Sequence, residues 1–196
     1  QGVGQLISRE LQALGAAVLV SLQVGVEQAT FADEIPQIVA AGPDAIFYAG
    51  YEVEAPYLRF ELVEAGMDAA FLASDGAFLT DTIDQAGSAA EGMYVSAFGP
   101  RPGAAVDETW IKEYQAVEYR NPDTYSINGY SALQVLAEGV KKAGTFDAAQ
   151  VANAIRSLSA VETPMGSLSY NTEGDLEEQK IYVFQVKDGD WMQVYP

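Results

Sequence analysis

Hydrophobic and polar positions follow two periods along the chain, one typical of helices and the other of strands. In residues 2–14 the apolar side chains recur every three or four positions and a glycine follows, so we predict an amphipathic helix. Short apolar runs such as 43–50 predict strands that are covered on both faces. The elements predicted in the first half are helices at 2–14, 31–42, 54–67 and 78–87 and strands at 16–24, 43–50, 69–76 and 91–100.

This alternation predicts an α/β fold with a doubly wound, mainly parallel sheet. Strands that alternate with helices of about ten to fifteen residues are typical of βαβ units. Right-handed crossovers between such strands place the helices on both faces of the sheet. Because the first helix has no strand before it, we expect the sequence to begin partway through a fold.

The pattern changes at residues 98–105, where two prolines and two glycines predict a linker or a crossing between two lobes. Helices are predicted next, at 107–119, 125–144 and 147–158, with Asp107 and Asp147 as N-caps. Residues 162–175 are rich in turn formers, and 180–196 has the pattern of a hairpin around Asp188-Gly189. The order is therefore an α/β block, a helical block and a terminal β-block.

The amino-acid composition mainly excludes certain kinds of segment and partner. The 196 residues are 49% hydrophobic, enough for one large domain or two small ones. No apolar run approaches the roughly 18 residues of a membrane-spanning helix, and no signal peptide is predicted within this sequence. A net charge of −18 repels phosphate backbones, so nucleic acid is not an expected partner.

The chain contains neither cysteine nor histidine. The first absence excludes disulfides, and the second removes Ser-His and Cys-His catalytic pairs and histidine-ligated metals. The acidic stretches lack the spacing of a calcium loop. We therefore predict no catalytic residues, no metal site and no cofactor.

Five segments carry a resemblance to a known family. In order, they are PDAIFYAGYEVEAPYLRFELVEAGM, FLASDG, AAEGMYVSAFGP, YSINGYSALQVLAEGVKKAG and TPMGSLSYNTEGDLEEQKIYVFQVKDGDW. In this order and spacing the chain resembles the branched-chain amino-acid-binding proteins, which are type I periplasmic (extracytoplasmic) solute-binding proteins of ABC importers. The resemblance covers essentially the whole chain, but only about the C-terminal half of a family member.

The resemblance implies a division into two lobes. Residues 1–97 and 166–196 would form the C-terminal lobe without its first strand, and 98–165 would supply crossovers and helices to the N-terminal lobe. It implies a non-enzymatic protein that binds an amino acid between the lobes by hinge closure. The implied partners are the small-molecule ligand, a membrane permease and the missing N-terminal half of the same protein. The implied location is periplasmic or extracytoplasmic, with a lipid anchor as one option for the full-length form.

Four residues match ligand-contacting positions of the family. Asp75 would hold the ligand's ammonium group, Tyr51 beside Gly50 would pack near the ligand, and Tyr125 would close over its side chain. The groups for the ligand's carboxylate would lie in the absent half. The residues alone also allow simpler roles: a turn for Asp75, a helix brace for Tyr51 and packing for Tyr125.

Glu52 and Glu54 are two carboxylates close to Tyr51 in the sequence. A favourable interaction with the helix dipole suffices to explain Glu52 and Glu54 in the first turn of the following helix.

One alternative function is a member of the same family that binds an amide, urea or aromatic acid. A more distant one is a histidine-free α/β enzyme that works through carboxylates.

Overall fold

The computed structural model describes residues 2–195, and they form two compact units. The first unit combines Gln1–Ala97 with Tyr182–Pro196, and the second is Phe98–Ile181. Residues 1 and 196, which end the predicted C-terminal lobe and its hairpin, lie outside the described residues. The first boundary coincides with the start of the predicted linker at 98–105. The assignment of 1–97, 166–196 and 98–165 to lobes of a larger protein stays a prediction.

Seven strands and eight α-helices are described. The strands are β1 (Ala45–Tyr48), β2 (Ala70–Ala73), β3 (Tyr94–Ala97), β4 (Val161–Thr163), β5 (Gly166–Leu168), β6 (Tyr182–Lys187) and β7 (Asp190–Tyr195). The helices are α1 (Gly2–Ala13), α2 (Ile35–Ala41), α3 (Ala55–Glu64), α4 (Thr80–Ala86), α5 (Pro102–Ala105), α6 (Glu108–Glu118), α7 (Thr124–Ala143) and α8 (Ala148–Arg156).

The first unit is built on a five-stranded sheet in the order β1-β2-β3-β6-β7. β1, β2 and β3 are parallel, as successive βαβ units require, whereas β6 and β7 join as an antiparallel pair beside β3. The α/β fold class is therefore confirmed, and the sheet is mixed.

The predicted strand at 16–24 is wrong for this chain. The segment runs without regular structure, and no described strand pairs with it. Leu22 and Val24 still pack against the core of the first unit, whereas Ala16 and Val20 are exposed. A strand needs a neighbour to bond its backbone, and periodicity within one segment does not supply that neighbour.

The edge position of β1 differs from expectation, and α1 is exposed. β1 pairs only with β2 among the described strands, and only its last residue, Tyr48, is buried, so it is not covered on both faces. The helix predicted at 2–14 is confirmed as α1, but none of its described residues is buried. The exposed fraction of Leu14, just beyond its end, is 84%.

Aromatic side chains fill much of the first unit's core. Phe78 stacks on Phe184 with ring centroids 4.4 Å apart and meets Trp191 edge-on at 5.5 Å. These contacts join the segment after β2 to the distant β6–β7 hairpin. The hairpin turns at Asp188-Gly189, as predicted, and both residues have positive φ angles, 53° and 75°.

The second unit is mainly helical, with the small β4–β5 hairpin as its sheet. The buried residues of α7 recur four positions apart: Ile127, Ser131, Val135 and Gly139. The predicted caps are confirmed, because Asp107 accepts a hydrogen bond from the Trp110 N–H and Asp147 from the Gln150 N–H. None of the helices within residues 2–195 is both long and apolar enough to cross a bilayer.

Candidate ligand-binding site

Three of the predicted site residues follow the carboxyl ends of two neighbouring strands of the first unit. β1 and β2 are parallel, and Tyr48 at the end of β1 lies in register with Ala73 at the end of β2. Gly50 and Tyr51 come just after β1, and Asp75 comes just after β2. Small molecules bind to open α/β sheets outside this end of the strands. The fold thus brings Gly50, Tyr51 and Asp75 to one edge of the sheet.

Direct contacts join the turn after β1 to the turn after β2. The Ser74 hydroxyl donates a hydrogen bond to the Gly50 carbonyl at 3.0 Å, and the Ser74 N–H donates to the Tyr48 carbonyl at 2.9 Å. A Cβ placed on Gly76 would lie 2.5 Å from the Gly50 oxygen and 2.9 Å from Cδ1 of Tyr51. A side chain at position 76 would therefore push the turns apart. Residues 50–51 and 74–76, which we call the site wall, pack as one surface.

The Tyr51 ring faces outward from this wall, with an exposed fraction of 66%. Its carbonyl accepts a hydrogen bond from the Ala55 N–H at 3.1 Å, which ties the residue to the start of α3. The backbone is thus fixed while most of the ring can contact a ligand. Contact between Tyr51 and a ligand stays a prediction.

Asp75 begins a short 3₁₀ turn, Asp75–Ala77, and is half-buried. Its carbonyl accepts a hydrogen bond from the Phe78 N–H at 2.9 Å. The backbone therefore forms a turn here, which is the simpler explanation for Asp75-Gly76. An ammonium bound by its carboxylate would gain a charge-assisted hydrogen bond worth roughly 1.5–3 kcal/mol. This role stays a prediction.

Tyr125, the fourth predicted contact, belongs to the second unit. It is the second residue of α7, and its ring packs against Phe98 with centroids 6.0 Å apart at a tilt of 45°. Packing, the simpler explanation, is therefore present, while 37% of the side chain stays exposed. Its role as a ligand contact also stays a prediction.

A buried carboxylate lies behind the wall. Glu54, with an exposed fraction of 4%, accepts hydrogen bonds from the Tyr48 hydroxyl at 3.1 Å and from the Glu27 N–H at 2.6 Å. The helix dipole is therefore not a sufficient explanation for Glu54. Burial of the ring, followed by the charge and hydrogen bond of Glu54, raises the pKa of Tyr48 well above its usual range.

Sequence reasoning missed Ser74, Gly76 and Glu54 as parts of this site. Ser74-Asp75-Gly76 is a turn sequence, and that local signal includes the serine and the glycine without indicating their contacts with the turn after β1. Nothing local indicates the burial of Glu54, because its partners are 6 and 27 residues away.

Comparison with known proteins identifies the family. The profile described as "Periplasmic binding protein" matches residues 1–190. The Leu/Ile/Val-binding protein homolog 1 of Brucella suis is 29% identical over 176 residues, which are 89% of this chain and 47% of that protein. The leucine-, isoleucine-, valine-, threonine- and alanine-binding protein of Pseudomonas aeruginosa is 28% identical over 188 residues, which are 94% of this chain and 49% of that protein.

A solved structure agrees with these matches. The leucine-binding protein of Thermotoga maritima superposes with a TM-score of 0.84 at 25% identity, over 98% of this chain and 55% of that chain. The chain spans about half the length of the curated relatives that it matches. The predicted resemblance is confirmed: the chain belongs to the periplasmic binding protein family.

Proposed function

We propose that this chain is part of the substrate-binding component of an ABC importer and binds an amino acid without catalysing a reaction. The observation that supports this function best is the site wall, where an exposed aromatic ring and a carboxylate follow adjacent parallel strand ends. The names of the relatives from Brucella suis and Pseudomonas aeruginosa, which specify leucine, isoleucine and valine, favour a branched-chain ligand.

In this proposal the ligand spans two lobes. Asp75 binds the α-ammonium, Tyr51 packs beside the ligand, and Tyr125 closes over its side chain from the N-terminal lobe. The α-carboxylate is bound by groups outside this chain. A ligand that contacts both lobes favours the closed form only through contacts that the open form lacks, so hinge closure follows from binding.

The partners in this proposal are a membrane permease and the N-terminal half of the same protein, in the periplasm or another extracytoplasmic location. Three features of the first unit support a missing half. The apolar face of α1 is exposed, with Leu6 at 53%. Residues 16–24 have the pattern of a strand but no regular structure, and β1 has an edge to which no described strand is bonded.

A thermal-shift screen of the full-length protein tests the function. We expect L-leucine, L-isoleucine or L-valine at 100 times its dissociation constant to add about 2.7 kcal/mol to the free energy of unfolding. Amides, urea and aromatic acids belong in the same screen, since they represent the other ligand classes. If no amino acid raises the melting temperature, the proposed function is wrong.

Two matched variants test the ammonium site. Asp75→Asn removes the carboxylate's charge at the wall, and we expect it to abolish the amino-acid shift. Asp81→Asn makes the same change at an exposed position in the first turn of α4, and the shift should remain. Equal shifts in the two variants would exclude Asp75 from the site.

A further inference from the structure

Glu54 has an unusual environment for a carboxylate. It is the one charged side chain that is buried among the described residues. An ionised group in such a place is stable only if hydrogen bonds replace its lost hydration. Both oxygens have a donor, because Oε2 accepts from the Tyr48 hydroxyl and Oε1 from the Glu27 N–H. These contacts need one particular placement of the carboxylate.

Three separate segments meet at this carboxylate. Tyr48 ends β1, Glu54 itself immediately precedes α3, and Glu27 lies in the loop before α2. Glu27 has a φ of 58°, a left-handed conformation that is unfavourable for a residue with a side chain. Such conformations persist where surrounding contacts hold them, and the bond to Glu54 is one of these contacts. Glu54 thus joins the loop, the strand end and the helix start.

The Tyr48 ring connects the carboxylate to the site wall. A Cβ on Gly50 would collide with Cζ and the hydroxyl oxygen of Tyr48, so the ring lies directly against the Gly50 backbone. The Gly50 carbonyl in turn accepts the hydrogen bond of the Ser74 hydroxyl. A displaced Tyr48 ring would therefore displace both turns of the wall.

We propose that Glu54 is a positioning residue of the candidate site, because its carboxylate holds the Tyr48 ring and that ring supports the site wall. Glu54 touches no ligand in this proposal. The effect on the wall follows from the contacts above, whereas the effect on ligand affinity rests on the proposed function.

Four substitutions separate positioning from general stabilisation. Glu54→Leu removes both acceptors at similar volume. Glu54→Gln keeps the bond from the Glu27 N–H to its oxygen and replaces the Tyr48 bond with one that its amide donates to the Tyr48 oxygen. Tyr48→Phe removes the hydroxyl alone. Glu61→Leu is the matched control, because Glu61 lies two turns further along α3 and also binds a backbone N–H, that of Phe31 at 3.0 Å.

Amide hydrogen exchange in the 196-residue chain tests the wall directly. The Ser74 and Ala55 amides donate to the Tyr48 and Tyr51 carbonyls, so their exchange rates report on the two turns. We expect Glu54→Leu to accelerate both by about tenfold or more, while Glu54→Gln and Glu61→Leu stay within about threefold of the original chain. Tyr48→Phe should show a smaller acceleration at the same amides.

The outcomes are distinct. If Glu54→Leu and Glu61→Leu accelerate both amides alike, or if neither does, the positioning role is wrong. If Glu54→Leu does not fold, the exchange rates of the same two amides in Tyr48→Phe are the test. Unchanged rates in that variant overturn the proposal.

Titration of the full-length protein with L-leucine tests the effect on affinity. We expect Glu54→Leu to bind at least about tenfold more weakly than Glu61→Leu. Equal affinities would overturn the link to binding. Absence of amino-acid binding in the unmodified protein would instead contradict the proposed function, and the exchange rates would still decide the role of Glu54.

Discussion

Replacement of Gly76 by alanine is the most direct test of the packed wall. The added methyl group would lie 2.5 Å from the Gly50 carbonyl oxygen. Non-bonded carbon contacts are comfortable at about 3.5 Å, so one turn must retreat by roughly 1 Å. The Ser74 hydroxyl, now 3.0 Å from the same oxygen, would then lose its hydrogen bond. The sum of overpacking and the lost bond is about 2–4 kcal/mol of unfolding free energy.

The two tryptophans allow this loss to be assigned to one unit. Trp191 lies in the first unit and Trp110 in the second, so a Trp110→Phe background leaves a single reporter on the first unit. Urea unfolding followed by Trp191 fluorescence should show the loss for Gly76→Ala. The control is Gly129→Ala inside α7, where a Cβ would meet no atom within 4 Å. We expect no effect on Trp191 from that change, and a Gly76→Ala chain as stable as its parent would refute the contact between the turns.

Two further predictions concern pH and helix capping. The pKa of Tyr48 is raised by burial and by Glu54. Above pH ~10 the folded chain therefore keeps a proton that the unfolded chain loses. The unfolding free energy of the first unit should then fall by up to about 1.4 kcal/mol for each further pH unit. Trp191-monitored urea titrations at successive pH values check this, and an equally steep fall in Tyr48→Phe would contradict it. Asp123 caps α7 in a capping box, so Asp123→Ala should destabilise the second unit by about 1 kcal/mol, measured by Trp110 fluorescence. An unchanged urea midpoint of the Trp110 fluorescence would show that the cap is not needed.

Elements with local signals were the ones that the sequence predicted well. Asp107 and Asp147 cap their helices through bonds to residues three positions ahead, and the Asp188-Gly189 turn follows from two adjacent residues. The placement of Tyr51 and Asp75 at neighbouring strand ends also followed, because a βαβ repeat fixes where successive strands end. These features need no knowledge of distant contacts.

The errors have the opposite character. Residues 16–24 have the composition and alternation of a strand, yet a strand is a property of a pair, and no described strand lies beside this segment. The exposure of α1 has a related cause, since an apolar face does not identify the partner that would cover it. Residues whose environment depends on partners far along the chain were therefore predicted least well.

Glu54 shows why such a residue is informative about function. An apolar side chain of similar volume often stabilises a protein as well as a buried charge does, so stability alone does not account for a carboxylate at this position. The two donors do account for it: the Glu27 N–H lies in a left-handed turn, and the Tyr48 hydroxyl lies against Gly50. Each donor needs an acceptor, and a buried donor without one costs about 1–3 kcal/mol. The carboxylate thus selects one arrangement of loop, strand end and helix start, and that arrangement presents Tyr51 beside Asp75.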